Sequence, residues 1–223
     1  TAANANGLNA GTYTVIVSDN NGCTQTGTVS ITQPAALSST ISQTDVTCYG
    51  AANGTASINV TGGTTPYNYL WNTIPAQTTT TPTNLSGGNY SVIVTDANGC
   101  TITSSIIINE PTQLIANGLV VSNVTCFGLS NGAATVGVSG GTTPYMYQWN
   151  TNPAQTTQSI NGLAPGNYTV IITDANNCTA STFVAIIQPT LLSITNASGT
   201  NVTCNGAANG QATVTSIGGT PSY

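Results

Sequence analysis

The sequence predicts an all-β protein organised as a tandem array of small β-sandwich repeats. Three observations carry that prediction. A set of motifs recurs every 77–78 residues, apolar residues within each repeat alternate with a period of two, and Thr, Ser, Asn and Gly dominate the rest of the chain. Of the 223 residues 39% are apolar, enough to rule out a solvated coil.

The repeat is anchored by its cysteines. A Val-Thr-Cys segment places Cys48, Cys126 and Cys204 78 residues apart, and a second cysteine after an Asp-led turn places Cys23, Cys100 and Cys178 at spacings of 77 and 78. Trp71 and Trp149, the Gly-Gly-Thr stretches at Gly62, Gly140 and Gly218, and Tyr13, Tyr90 and Tyr168 keep the same period. Pro34, Pro111 and Pro189 each follow an apolar run and mark the boundaries. The expected segments are 1–34 (the C-terminal part of a repeat), 35–111 and 112–189 (complete repeats) and 190–223 (the N-terminal part of a repeat). Tyr223 aligns with Tyr145 and Tyr67, and Thr1 with Thr78, so head and tail belong to one repeat type with the counterparts of 68–77 missing between them. The expectation is a window cut from a longer array; the alternative is a subunit boundary at which neighbours complete a split domain.

Within the second repeat, Ala56, Ile58 and Val60 alternate with polar residues, as do Tyr67, Tyr69 and Trp71, and then Tyr90, Val92 and Val94. Each run is a strand with one apolar face. Leu70 breaks the polar face of the middle run, but its counterpart Gln148 shows that the position is not core. Further strands are expected over 37–47, within 77–85 and over 101–109, and no helix is needed. Trp71 and Trp149 stand where the third strand of an Ig-like sandwich buries an aromatic ring. Leu85 to Tyr90, Leu8 to Tyr13 and Leu163 to Tyr168 resemble a tyrosine corner. The predicted fold class is therefore all-β, a tandem array of Ig-like β-sandwich repeats. Trp71, Trp149, Tyr13, Tyr90 and Tyr168 are assigned to core packing, in preference to a carbohydrate platform.

The turn Asp96-Ala-Asn-Gly99 joins two strands, and Asp19-Asn-Asn-Gly22 and Asp174-Ala-Asn-Asn177 are its equivalents. Asp initiates such turns and Gly supplies a positive φ. A calcium site is the sharper reading of the same residues, but each turn carries one carboxylate where such sites usually converge several, so a structural turn is expected.

The six cysteines, two per repeat, indicate structural disulfides formed in an oxidising compartment. Their spacing fits neither zinc nor C-x-x-C redox chemistry, and no cation is present to depress a thiol pKa. Two pairings are open. Bonds within repeats, Cys48 with Cys100 and Cys126 with Cys178, would close loops of about 52 residues and contribute about 4 kcal/mol. Strand geometry opposes them, since a strand of ~7 residues separates the two poles of a sandwich by about 23 Å, and a disulfide needs Cα atoms within about 7 Å. A bond between repeats, Cys48 with Cys178, is the alternative.

Composition narrows function. With no Lys, Arg or His and a net charge of −5, the chain lacks the usual groups for acid–base catalysis and has no means of neutralising phosphates. Nucleic-acid binding is excluded, an enzyme is the poorest candidate, and no cofactor or metal is expected. The longest apolar runs are a few residues, so this segment is not expected to insert into a membrane as a helix. The absence of Lys and Arg leaves no trypsin-type cleavage sites.

The ordered set Val46-Thr-Cys48-x-Gly50, Asn53-Gly54, Gly62-Gly-Thr-Thr-Pro66-Tyr67, Trp71, Gly88-x-Tyr90, Asp96-Ala-Asn-Gly99-Cys100 and Pro111 resembles the SprB-type repeat over essentially the whole chain. The resemblance implies a large cell-surface adhesin of Bacteroidota, of the kind used in gliding motility and exported by the type IX system. The expected role is a non-catalytic, extracellular, disulfide-stabilised filament or adhesin stalk. The partners expected are neighbouring repeats or copies of the same protein. The alternative is that the repeats themselves are binding modules for a glycan or surface. Ice binding by the Thr-rich surface is weaker, because runs such as Thr78 to Thr81 are not periodic.

Overall fold

A computed structural model describes residues 3–221; Thr1 and Tyr223, on which the alignment of the two chain ends rests, lie outside the described residues. Fifteen strands and no helix make up the chain among the described residues. They fall into two compact units. The first holds the residues up to Asp45 together with Ala52–Asn109, and the second holds Val46–Ala51 and the residues from Glu110 on.

In the first unit, β1 (Gly11–Ser18) and β2 (Thr24–Ile31) form an antiparallel pair. β3 (Ser38–Thr44) pairs with β4 (Thr55–Thr61), and β5 (Asn68–Trp71), β6 (Gly88–Thr95) and β7 (Thr101–Ile108) form a three-stranded antiparallel sheet. β3 runs beside β7, so the two sheets face each other. The faces that meet carry the alternating residues: Ala56, Ile58, Trp71, Val92, Val94 and Ile108 are all buried. Leu70, on the opposite face of β5, is 52% exposed.

In the second unit, β8 (Ile115–Ser122), β9 (Gly132–Ser139) and β11 (Ser159–Leu163) form one sheet in the order β11-β9-β8. β10 (Met146–Trp149), β12 (Gly166–Thr173) and β13 (Thr179–Ile186) form the other, in the order β10-β12-β13. Their core is Val124, Ala134, Val136, Trp149, Ile160, Leu163, Val170, Ile172, Val184 and Ile186, with Leu114 at its edge. β14 (Ser193–Thr200) and β15 (Gln211–Ile217) form an antiparallel pair.

Two local differences between repeats have clear causes. The strand expected within 77–85 forms as β11 in the third repeat. In the second, only the Gly54–Leu85 bridge and the bonds of Ala56 N–H and Ile58 N–H to the Pro82 and Thr80 carbonyls remain. Pro82 stands where the third repeat has Ile160, and proline cannot donate to a ladder. The change of period from 77 to 78 is also localised. β3 and β4 pair without a shift, whereas the register of β8 on β9 shifts between Val120 and Ser122 and that of β14 on β15 between Ile194 and Asn196. The extra residue is held as a β-bulge, which keeps the inward set of side chains on the core face.

Candidate functional site: the cysteine-bearing turns

Each Asp-led turn is built by its own carboxylate. In the third repeat, Asp174 Oδ1 accepts the amides of Asn176 and Cys178, each at 2.9 Å, and Oδ2 accepts the Thr142 amide at 2.9 Å. In the second, Asp96 Oδ1 accepts those of Asn98 (2.9 Å) and Cys100 (2.8 Å), and Oδ2 that of Thr64 (2.9 Å). Asp19 likewise receives the Asn21 and Cys23 amides at 2.9 Å each. Gly99 and Gly22 have φ of 81°, and Asn177, in the same place, is left-handed at 65°. Asn is the side-chain-bearing residue that best tolerates that region, so the substitution preserves the turn.

Asp96 and Asp174 are 3% and 1% exposed, covered by their own turns. The Thr64 amide is the chief influence holding the Asp96 carboxyl below the usual 3.8, helped by the Cys100 and Asn98 amides against the opposing effect of burial. At Asp174 burial pushes the value up, but the Thr142, Cys178 and Asn176 amides together outweigh it and the net shift is downward. A carboxylate with both oxygens committed to backbone amides is a structural anchor. No group of three or more His, Cys, Asp or Glu suited to a metal ion occurs among the described residues.

The two remaining acids do work that neutral amides do elsewhere in the chain. Asp45 accepts from the amide and side chain of Asn109, at 2.8 and 3.0 Å, and the Asn109 side chain is the first cause of its lowered pKa. Its counterpart Asn123 accepts from Ile187 N–H. Glu110 accepts from Gly50 N–H at 2.6 Å, and its counterpart Gln188 from Gly128 N–H at 2.8 Å. What these positions require is a hydrogen-bond acceptor, which need not carry a negative charge.

Of the two cysteine pairings open from sequence, the structure contains Cys48–Cys178, with Cα atoms 5.7 Å apart. The within-repeat pairs are absent: Cys100 and Cys126 are free and exposed, as are Cys23 and Cys204. The bond lies within the second unit, to which the short segment Val46–Ala51 belongs although the residues on either side of it in sequence do not. Asn176 secures the same place, its Nδ2 donating to the Thr47 carbonyl at 2.9 Å and to Thr142 Oγ1 at 3.1 Å. In the second repeat Asn98 Nδ2 makes the equivalent bond to Thr64 Oγ1 at 2.9 Å. A surface recess of about 390 Å³ beside the disulfide is lined by Tyr49, Gln113, Leu114, Asn177 and Thr179.

The five aromatic residues singled out from sequence occupy defined places. Trp71 and Trp149 are each 1% exposed, and their indole N–H groups donate to the Thr79 and Thr157 carbonyls at 2.8 and 3.0 Å. The Tyr13, Tyr90 and Tyr168 hydroxyls donate to the Asn9, Ser86 and Ala164 carbonyls, each four residues back and each at 3.0 Å. Sequence reasoning passed over Thr47, Asn176, Glu110 and Gln188. The recurrence of Thr before the first cysteine, of Asn two residues before the second and of Glu or Gln beside the boundary proline was the available signal.

The profile of the SprB repeat matches residues 40–76, 118–154 and 196–223, so the chain carries SprB repeats at three positions. The matches begin 78 residues apart and cover the first part of each repeat, leaving the tyrosine corner and the Asp-led turn outside. Compared by sequence with curated proteins, the chain matches none. Among solved structures it is similar to the eight N-terminal Ig domains of Down Syndrome Cell Adhesion Molecule, with 15% identity and a TM-score of 0.39, over 83% of this chain and 28% of that one. A C-terminal fragment of intimin in complex with the intimin-binding domain of its receptor gives 14% identity, a TM-score of 0.33 and coverage of 82% and 60%. A tetra-tandem repeat from the extending region of a large adhesion protein gives 14%, 0.25, and 95% and 72%.

Proposed function

We propose that this chain of SprB repeats is a non-catalytic, extracellular structural segment, a disulfide-stabilised stalk that extends a cell-surface adhesin. The observation that carries the proposal is the Cys48–Cys178 bond, which joins a residue of one sequence repeat to a residue of the next. A covalent link between consecutive sequence repeats suits a spacer built of repeats, and an isolated catalytic or binding domain has no need of one. The acids support the same reading, since each serves to hold backbone amides.

Scattering in solution tests it. A compact globule of 223 residues has a radius of gyration of about 17 Å. Repeats in line at about 30–40 Å each, from strand rise plus loops, make a rod of about 100 Å with a radius of gyration near ~29 Å. A value near that of the globule refutes the stalk.

The repeats acting as binding modules for a glycan or surface is the second reading, and one observation favours it. Tyr49 and Phe127, at equivalent positions after the first cysteine, are 56% and 51% exposed. The fourth copy has Asn205 there. A glycan array probed with the native chain and with Y49A/F127A separates the two readings: binding lost in the variant supports the second, and no binding by either removes it.

A further inference from the structure

In the third repeat a surface recess of about 520 Å³ opens beside β10, within the roughly 300–1,000 Å³ of small-molecule sites. It is lined chiefly by Tyr145, Tyr147, Gln148, Thr156, Ile171 and Thr173. Gln148 and Ile171 are cross-strand partners on the outer face of the sheet, Tyr147 packs against the core from the other face, and Thr156 comes from the loop after β10. β10 is an edge strand, paired with β12 alone. Asn150 N–H donates to the Thr169 carbonyl at 3.0 Å, one step beyond the Trp149–Val170 pair. Ladder bonds in an antiparallel pair alternate, so Gln148 and Met146 turn their backbone groups toward β12 and Tyr147 turns its N–H and C=O to the open edge. Trp149 N–H, which points the same way, is taken by the Gln155 carbonyl at 3.0 Å. So short an open edge gives an added strand few of the main-chain bonds on which it depends, but it suits a small ligand that both donates and accepts.

The lining selects the ligand's chemistry. No charged residue lines the recess. Asp174, next in sequence to Thr173, has both oxygens bound by backbone amides, so a cationic ligand finds no free carboxylate there. With no cation in the chain and a net charge of −5, an anionic ligand is repelled. The Tyr145 hydroxyl is occupied by the Gly140 carbonyl at 2.6 Å. Those of Tyr147, Thr156 and Thr173, and the Gln148 amide, make no hydrogen bond among the described residues. A held aromatic ring, free hydroxyls and an amide are what a neutral sugar requires: its C–H face packs on the ring, and its hydroxyls donate and accept at once. The second repeat has Tyr67, Tyr69, Thr78, Ile93 and Thr95 at the equivalent places. Core packing accounts for the tyrosines but not for Thr78 and Thr156, which are both exposed and identical.

We propose that this recess binds a neutral saccharide unit, with Tyr147 as the ring it packs on and Gln148, Thr156 and Thr173 as its hydrogen-bonding partners. The proposal rests on the second reading above, in which the repeats are binding modules, and assigns the contact to residues other than Tyr49 and Phe127. Leu70 stands in the second repeat where the third has Gln148, so the third repeat carries one hydrogen-bonding group more and is the stronger site.

The test titrates ¹⁵N-labelled chain with maltose, cellobiose, lactose and N,N′-diacetylchitobiose at millimolar concentration and follows the amide signals by NMR. The expected result is a saturable shift of Tyr147, Gln148 and Thr156 with at least one of these sugars, and none with a sulfated disaccharide. Q148L/T156V, which changes two exposed residues, is expected to weaken that binding about fivefold or more through two lost hydrogen bonds while leaving the Tm unchanged. An unchanged affinity in the variant overturns the proposal. So does a shift of the same signals with protein concentration in the absence of sugar, which would seat a second copy of the chain there. Sugar binding that moves only signals elsewhere, such as those around Tyr49, refutes this site and leaves the second reading standing; no binding of any sugar by the native chain refutes both.

Discussion

Replacing Cys48 and Cys178 together by serine isolates the energetic role of the staple. The bond spans a sequence separation of 130 residues. With the bond formed, unfolding one repeat while its neighbour stays folded leaves a closed loop of about 60 residues, which in the chain-entropy model is worth about 4 kcal/mol. A domain of about 78 residues has an unfolding entropy near ~0.16 kcal/mol/K, so the loss corresponds to a fall in Tm of roughly 15–25 °C, the lower figure allowing for native-state strain. Trp71 and Trp149, one in each complete repeat, report the two transitions separately if each in turn is replaced by Phe in otherwise identical chains. Both transitions are expected to move down, and reduction of the native chain should reproduce the shift. A change of less than ~3 °C in both would refute the claim that this bond limits independent unfolding.

Other perturbations address single elements. Gly140→Ala puts a Cβ onto the Gln113 carbonyl at a φ of 70°, and chemical denaturation should show a loss of at least about 1 kcal/mol in the transition reported by Trp149. Tyr168→Phe removes the bond to the Ala164 carbonyl at 3.0 Å and should cost about 0.5–1.5 kcal/mol on the same probe. Asp45, Asp96 and Asp174 have folded pKa values depressed below 3.8, so their contribution is fully present above that value and is lost as pH falls through the lower folded values. Acid titration followed by circular dichroism should show a stability plateau above about pH 4, and Asp174→Asn should flatten the acid limb of the third repeat.

Alternation of side chains made most of the fold legible, because burial of one sheet face leaves a mark every second residue: Ile58, Trp71, Val92 and Val94 were marked for the core by that pattern and are buried. The loss of the strand around Thr83 was legible in principle, since Pro82 is visible, but a Thr-rich run masks one missing donor. The place of the inserted residue was not, because a bulge at Val121 depends on how β8 registers on β9. The cysteine pairing was underdetermined for a related reason. It depends on where Val46–Ala51 packs, and that is settled by contacts far apart in sequence, such as Gly50 with Glu110 and Thr47 with Asn176. Local patterns encode which face is apolar; they do not encode which distant turn lies opposite a loop.

The staple also determines what a pulling force can reach. Tension applied along the chain passes directly from Cys48 to Cys178, and the stretch between them, a sequence separation of 130, carries no load. At about 3.3–3.6 Å per extended residue, some ~450 Å of contour length is withheld from stretching. What a stretched chain gives up first is therefore the sequence outside this one bond.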